Sequence, residues 1–456
     1  IKFFLMYLRS LTILLFLIIS CQKNSQIVNY PSTKKIATED TYFNSQVIDN
    51  YRWLENDNAV ETKNWVDKQN ETTFSYLENI PFRNQIKNRL EQLWDYDKVS
   101  APFKEGYYTY FYKNSGLQNQ YVVYRKKNGY EEEVFLDPNT FAKDGTTSLA
   151  GLNFSKSGKL LAYSISEGGS DWRKIIVMDA IDKKIIEDTL VDIKFSGIQW
   201  KLDDGFFYSS YDKPGGSELS QMTDQHKLYY HKLGTAQSED VLIFGGLPEQ
   251  KHRYVGGSVT RDGKYLFITA SKTTSGNISF IKDLSILKSP LLKVDEDYNT
   301  DSYLLDAIKD NLYIVTNSNA PNKRVIKASA KSPQEKNWKD FISETEHVLL
   351  PSSGGGYFFA RYIVNVMTKV IQYDFKGNNM GEIKLPGIGT AGGWNGKMED
   401  ETLYYSFTNY HTPGVIYSYN PKTKNSDQFW KPDINFDPDN YISEQIFFTS
   451  LDGTPI

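Results

Sequence analysis

Two hydrophobic rhythms divide the chain. From about residue 45 to residue 95, positions recur at steps of three and four: Glu61, Trp65, Val66 and Gln69, then Ile86, Leu90, Leu93 and Trp94. That spacing predicts two helices, one capped by Asn58 with Glu61 three residues on and one beginning after Pro81. After Asp97 the pattern shortens to β runs. Apolar and aromatic runs, mostly opened by a turn residue, return at 106–112, 158–164, 205–209, 263–268, 311–315, 356–360 and 401–406. Their starts lie 45 to 58 residues apart, the length a four-stranded blade needs. Second runs such as Lys174-Ile175-Ile176-Val177-Met178-Asp179 and Lys369-Val370-Ile371-Gln372-Tyr373-Asp374 fit the next strand of a meander. The pattern predicts an all-β, seven-bladed β-propeller over 101–448 behind a short helical N-terminal segment at 36–100. A two-sheet sandwich is the alternative, but few sandwiches need seven such units. Ile446-Phe447-Phe448 reads as a last strand, with 432–450 closing the ring.

Composition adds to this picture. Tyr and Phe number 32 and 26 in 456 residues, a strand-favouring bias. The net charge of −4, with no basic stripe, argues against a nucleic-acid partner. The single cysteine excludes a disulfide within the chain. Its setting is informative. Lys2 and Arg9 flank an apolar run from Leu11 to Ile19, then Ser20-Cys21 and a polar stretch. Residues 1–20 read as a signal peptide and 21–35 as a polar tether, with a signal anchor as the alternative. The first residue is Ile1, and the last residues follow an Asp-Gly turn signal, so the sequence reads as a fragment.

Catalytic signals are sparse. No Gly-x-Ser-x-Gly elbow, phosphate-binding loop or dinucleotide fingerprint occurs, and no cofactor is expected. Gly256-Gly257-Ser258-Val259-Thr260 imitates an elbow but leads into a blade turn. His226 and His231 are five apart on a strand-like stretch, which puts them on opposite faces and argues against a shared metal. Asp203-Asp204 and Asp295-Glu296-Asp297 read as solvated turns. Gly168-Gly169-Ser170-Asp171-Trp172-Arg173 reads as a polar hairpin at the rim. Trp172 and Arg173 either pack that loop or contribute to binding.

The chain resembles the prolyl oligopeptidase family of serine peptidases. The resemblance rests on Asp49-Asn50-Tyr51-Arg52-Trp53-Leu54-Glu55, Leu93-Trp94-Asp95-Tyr96, Phe135-Leu136-Asp137-Pro138-Asn139, Gly169-Ser170-Asp171-Trp172, Tyr229-Tyr230-His231-Lys232-Leu233-Gly234-Thr235 and Ser450-Leu451-Asp452-Gly453-Thr454-Pro455-Ile456, in that order. It implies a propeller that filters substrates by size, and a helical segment that packs on an α/β-hydrolase domain. Residues 449–456 would begin the link into that domain, which supplies the Ser, Asp and His, so the chain alone is expected to be inactive. The implied substrates are short peptides cut after proline. Alternatives are a basic-residue-specific oligopeptidase of the same architecture and a non-enzymatic envelope propeller. Relatives often carry Phe and Met where this chain has Val177 and Val255. These two, with Tyr254, Trp172 and Arg173, are the substrate-cavity candidates, and the smaller side chains imply a roomier pocket. Ile18-Ile19-Ser20-Cys21 also resembles a bacterial lipobox, which implies lipidation of Cys21, a membrane anchor, and a place in the periplasm or outer membrane. Without the hydrolase domain, Trp53, Leu54 and Trp65 are expected to form an apolar patch.

Overall fold

The structure, a computed structural model, describes residues 28–219 and 221–456. The leader and Cys21 lie outside the described residues. The chain divides into two compact units, residues 1–90 and 91–456.

The first unit opens with an antiparallel hairpin, Thr38–Tyr42 against Ser45–Asp49. This corrects the helical reading of its start. Phe43 and Asn44 turn the hairpin with φ of 46° and 67°. That is the geometry of a two-residue hairpin, but Phe-Asn is not the usual Asn-Gly signal. Helix α1 (Val60–Glu78) and helix α2 (Arg83–Trp94), the latter running on into the second unit, follow. The N-cap of α1 is Ala59, with no side-chain cap bond. Asn58 lies one residue too early, so the expected capping box does not form. Trp53 and Trp65 are half-buried, and their indole N–H groups donate to Lys34 O at 3.0 Å and Thr33 Oγ1 at 2.9 Å. The exposed apolar stripe is instead on α2, where Ile86, Leu90, Leu93 and Trp94 are each at least half exposed.

Among its described residues the second unit holds seven antiparallel sheets, each built from one continuous stretch of chain. Every one of the seven repeated runs falls on the second strand of a sheet: Tyr108–Ser115, Leu160–Glu167, Gly205–Ser210, Tyr265–Ser271, Asn311–Thr316, Tyr357–Val364 and Leu403–Thr408. In blades two to six these strands are buried on both faces, so adjacent residues serve different seams. Phe206 packs between blades two and three, and Phe207 between three and four. Leu266 and Phe267 divide in the same way between the next two seams, as do Phe358 and Phe359 further on. Six seams carry such a core.

The seventh seam, between blades seven and one, is built differently. The outward neighbours here, Phe111 and Tyr404, line a cleft of about 660 Å³ together with Val99, Phe429 and Trp430. Lys397 bridges the seam to Glu105 at 2.7 Å. Residues 432–450 do not close the ring as a strand, which corrects that expectation. Ser426–Trp430 already completes the fourth strand of blade seven, and Ile446, Phe447 and Phe448 are 59–77% exposed.

Blades one and two meet at a backbone contact. Gly158 has φ of +70°, and a Cβ there would lie 2.2 Å from Gly106 N. Gly158→Ala is therefore expected to cost about 2 kcal/mol or more, combining backbone strain with a clash that no side chain can relieve. A urea midpoint lowered at constant m-value checks this.

Candidate functional site

In each four-stranded meander, the outer strand ends where the inner strand began. All blade-to-blade crossings therefore lie at one end of the ring. The chain enters blade one at Asp97 and leaves blade seven at Trp430 at this same end. At the opposite end Arg261 ties blades together. Its guanidinium donates to Gly396 O at 2.7 Å and Ser353 Oγ at 3.2 Å, and pairs with buried Asp306 at 3.3 Å.

At the crossing end, between blades two, three and four, lies a cleft of about 540 Å³. Two successive crossings supply its walls, and each brings a cation followed by an aromatic: Lys194-Phe195 and Arg253-Tyr254. Phe195 meets Tyr254 at 5.7 Å and Tyr211 at 6.3 Å, both edge-on. Met222, Asp224 and Lys272 add to the lining.

One imidazole holds these crossings together. His226 is fully buried. Its Nε2–H donates to Lys194 O at 2.9 Å, and its Nδ1 accepts from Val255 N–H at 2.8 Å. A carbonyl only accepts and an amide only donates, so the pair of bonds defines the tautomer. His226 N also donates to His252 O at 2.9 Å, and Tyr211 stacks on the ring at 4.4 Å. Burial holds the His226 pKa down to about 4. His231 behaves oppositely. Burial pushes its pKa down, but hydrogen bonds and charge from Asp240 and Glu187 outweigh this and raise it. Its Nδ1 faces Asp240 at 2.7 Å and its Nε2 faces Glu187 at 3.2 Å, where it clips blade three to the outer loop of blade two. The two histidines sit in separate surroundings.

The sequence-predicted residues divide. Tyr254 lines the cleft. Trp172 pairs with Lys194 across adjacent strands, is 8% exposed, and donates from its indole to Glu218 O at 3.1 Å. Arg173, one residue on, has its Nε buried without a hydrogen-bond partner among the described residues. Val177 and Val255 correct the expectation that they line a cavity. Val177 is 0% exposed and packs with Ala162, Ile175 and Phe206 between blades two and three. Val255 is 2% exposed and packs with Phe207, Leu228 and Phe244 between blades three and four. Strand alternation is the reason: Tyr254 faces the cleft, so the next residue faces the core. Lys194, Phe195 and His226 were not anticipated. The signal that would have found two of them is the repeated cation–aromatic pair at consecutive crossings.

The His226 bonds generate a pH prediction. The folded state keeps the ring neutral, whereas in the unfolded chain it titrates near 6.5. The unfolded state binds more protons below that value, so this contribution is present above about 6.5 and is lost as pH falls towards about 4. The loss is on the order of 3 kcal/mol. Urea titrations from pH 7.5 to 4 should show this decline, and His226→Gln should flatten it while lowering stability at neutral pH.

Comparison with known proteins adds the lineage. Residues 31–432 match the family described as "Prolyl oligopeptidase, N-terminal beta-propeller domain". The chain is 52% identical to the prolyl endopeptidase of Elizabethkingia miricola over 435 residues, covering 95% of this chain and 61% of that protein. It is 30% identical to prolyl oligopeptidase A of Amanita bisporigera, covering 94% and 62%. Prolyl oligopeptidase B from Galerina marginata, solved with a 25mer macrocyclization substrate bound, superposes with a TM-score of 0.82 at 28% identity, covering 94% of this chain and 64% of that one. The chain thus spans about 61% of the length of the first of these curated relatives. With its seven sheets and helical leading segment, the chain belongs to the prolyl oligopeptidase family and carries the family's N-terminal β-propeller domain.

Proposed function

We propose that this propeller is the gating and substrate-filtering part of a serine endopeptidase that cuts short peptides on the carboxyl side of proline. The observation that carries the reading is the 52% identity to a prolyl endopeptidase across 95% of the chain. Topology supports it. The chain enters and leaves the ring at the end that holds the cleft, so a hydrolase domain joined to either strand would lie over that end. The Ser, Asp and His would come from that domain, acting by acyl transfer to serine and then to water. The propeller's part is steric. Six of its seven seams are packed and Arg261 crosses one end, so the ring bars a folded protein and leaves only extended peptides to reach the site. Ile18-Ile19-Ser20-Cys21 supports an envelope enzyme held by a lipid on Cys21, in the periplasm or at the outer membrane.

The test uses the full-length protein and paired short peptides with Pro or Arg before the scissile bond. Cleavage after Pro is expected, with kcat/KM at least about a hundredfold above that for Arg. A folded protein bearing exposed Pro sites should survive the same treatment. Preference for Arg would move the chain to a basic-specific oligopeptidase. No cleavage of either peptide by folded full-length protein would remove the enzymatic reading.

A further inference from the structure

The crossing-end cleft carries an electrostatic imbalance. Lys194, Lys251, Arg253 and Lys272 line it, with Asp224 the one carboxylate among its described lining residues. Asp224 is taken by Lys251. Lys194 is 8% exposed, and among the described residues its ammonium has no carboxylate or hydrogen-bond acceptor. It rests on rings alone, 4.9 Å from the centroid of Trp172 and 5.4 Å from that of Phe195. Arg253 lies over Tyr254 at 5.7 Å, and Lys272 over Tyr298 at 4.0 Å; both side chains are exposed at the mouth and have no carboxylate partner among the described residues. Holding several unpaired cations together in one cleft is costly unless an anion compensates their charge. Aromatic faces offset only part of that cost. Meanwhile the Lys194 carbonyl is held by His226, so the backbone beneath the ammonium is fixed.

We propose that Lys194, seconded by Arg253 and Lys272, forms an anion subsite that takes a carboxylate of a bound peptide, while Phe195, Tyr211 and Tyr254 pack against its chain. The inference rests on the peptide-substrate reading of this cleft and adds a chemical preference to it. The carboxylate comes either from a free C-terminus or from an Asp or Glu side chain. Both present the same two oxygens to the ammonium, and binding would complete the one partner set that Lys194 lacks.

Isothermal titration of the full chain with three acetylated peptides of one sequence, Ala-Gly-Pro-Phe-Ala, tests this. One is a C-terminal amide, one has a free C-terminus, and one is an amide with Glu replacing the last Ala. At least one carboxylate peptide should bind about tenfold more tightly than the neutral amide, the weight of one charge-assisted hydrogen bond. Which of the two gains identifies the source of the carboxylate. In Lys194→Met, checked for folding by its thermal transition, the affinity ratio should fall to about one. The wild-type comparison stands by itself if that variant does not fold. Equal binding of all three peptides overturns the anion subsite and leaves the peptide cleft intact, as does a preference that survives in folded Lys194→Met. Failure of every peptide to bind overturns both.

Discussion

Burial of both faces of the second strand in blades two to six is the constraint from which the rest of the molecule follows. A strand with one wet face alternates apolar and polar residues. Here both faces are dry, so Phe206-Phe207, Leu266-Phe267, Ile314-Val315 and Phe358-Phe359 stand side by side and look in opposite directions. Each doublet fastens its blade to the one before and the one after. Tyr, Phe and Trp bury large areas in such places and pack edge-on or tilted, as in the cluster of Tyr313, Phe341, Phe358 and Phe375. The blades are thus held by their sides, which leaves their ends free to carry other chemistry.

Those ends are not alike. At one, Arg261 reaches from blade four to blades five, six and seven. At the other, the crossings bring cations and rings together over His226, a neutral imidazole of blade three that bonds to backbone of blades two and four. Loops on a rigid scaffold can hold residues whose own requirements are unmet, because the scaffold supplies the stability. Lys194 is such a residue. Its strand pairs in register with Trp172, its carbonyl is bonded, and among the described residues its ammonium is met by the rings of Trp172 and Phe195.

Much of the fold was legible because the doublets are local. Turn residue, doublet and next strand lie within about twenty residues, and the seven repeats announce the ring. The seams themselves are not local, yet they need no separate signal once the doublets are seen. The site was less legible. Tyr254 and Trp172 could be named, but the assignment of Val177 and Val255 failed because position in an alignment does not state which side of a strand faces the core. His226 joins residues 29 and 32 positions away, and nothing near it in the sequence marks the bond. The hairpin before α1 escaped for a related reason: Phe43-Asn44 adopts a turn that the residue types do not advertise. The same limit applies to Asn58, where a correct motif sat one residue from the helix start.

The joint between blades seven and one has a geometric consequence. Seven sheets set side by side each contribute a small error in twist and tilt, and around a circle such errors add. Six joints are interlocked by buried side chains. The last has a cleft and, among the described residues, a lysine–glutamate bridge across it. It acts as the clearance fit of the assembly, the place where the accumulated misfit of the other joints is absorbed. A residue changed in any blade can therefore show its strain far from where it was made, at the one joint without an interlocked core.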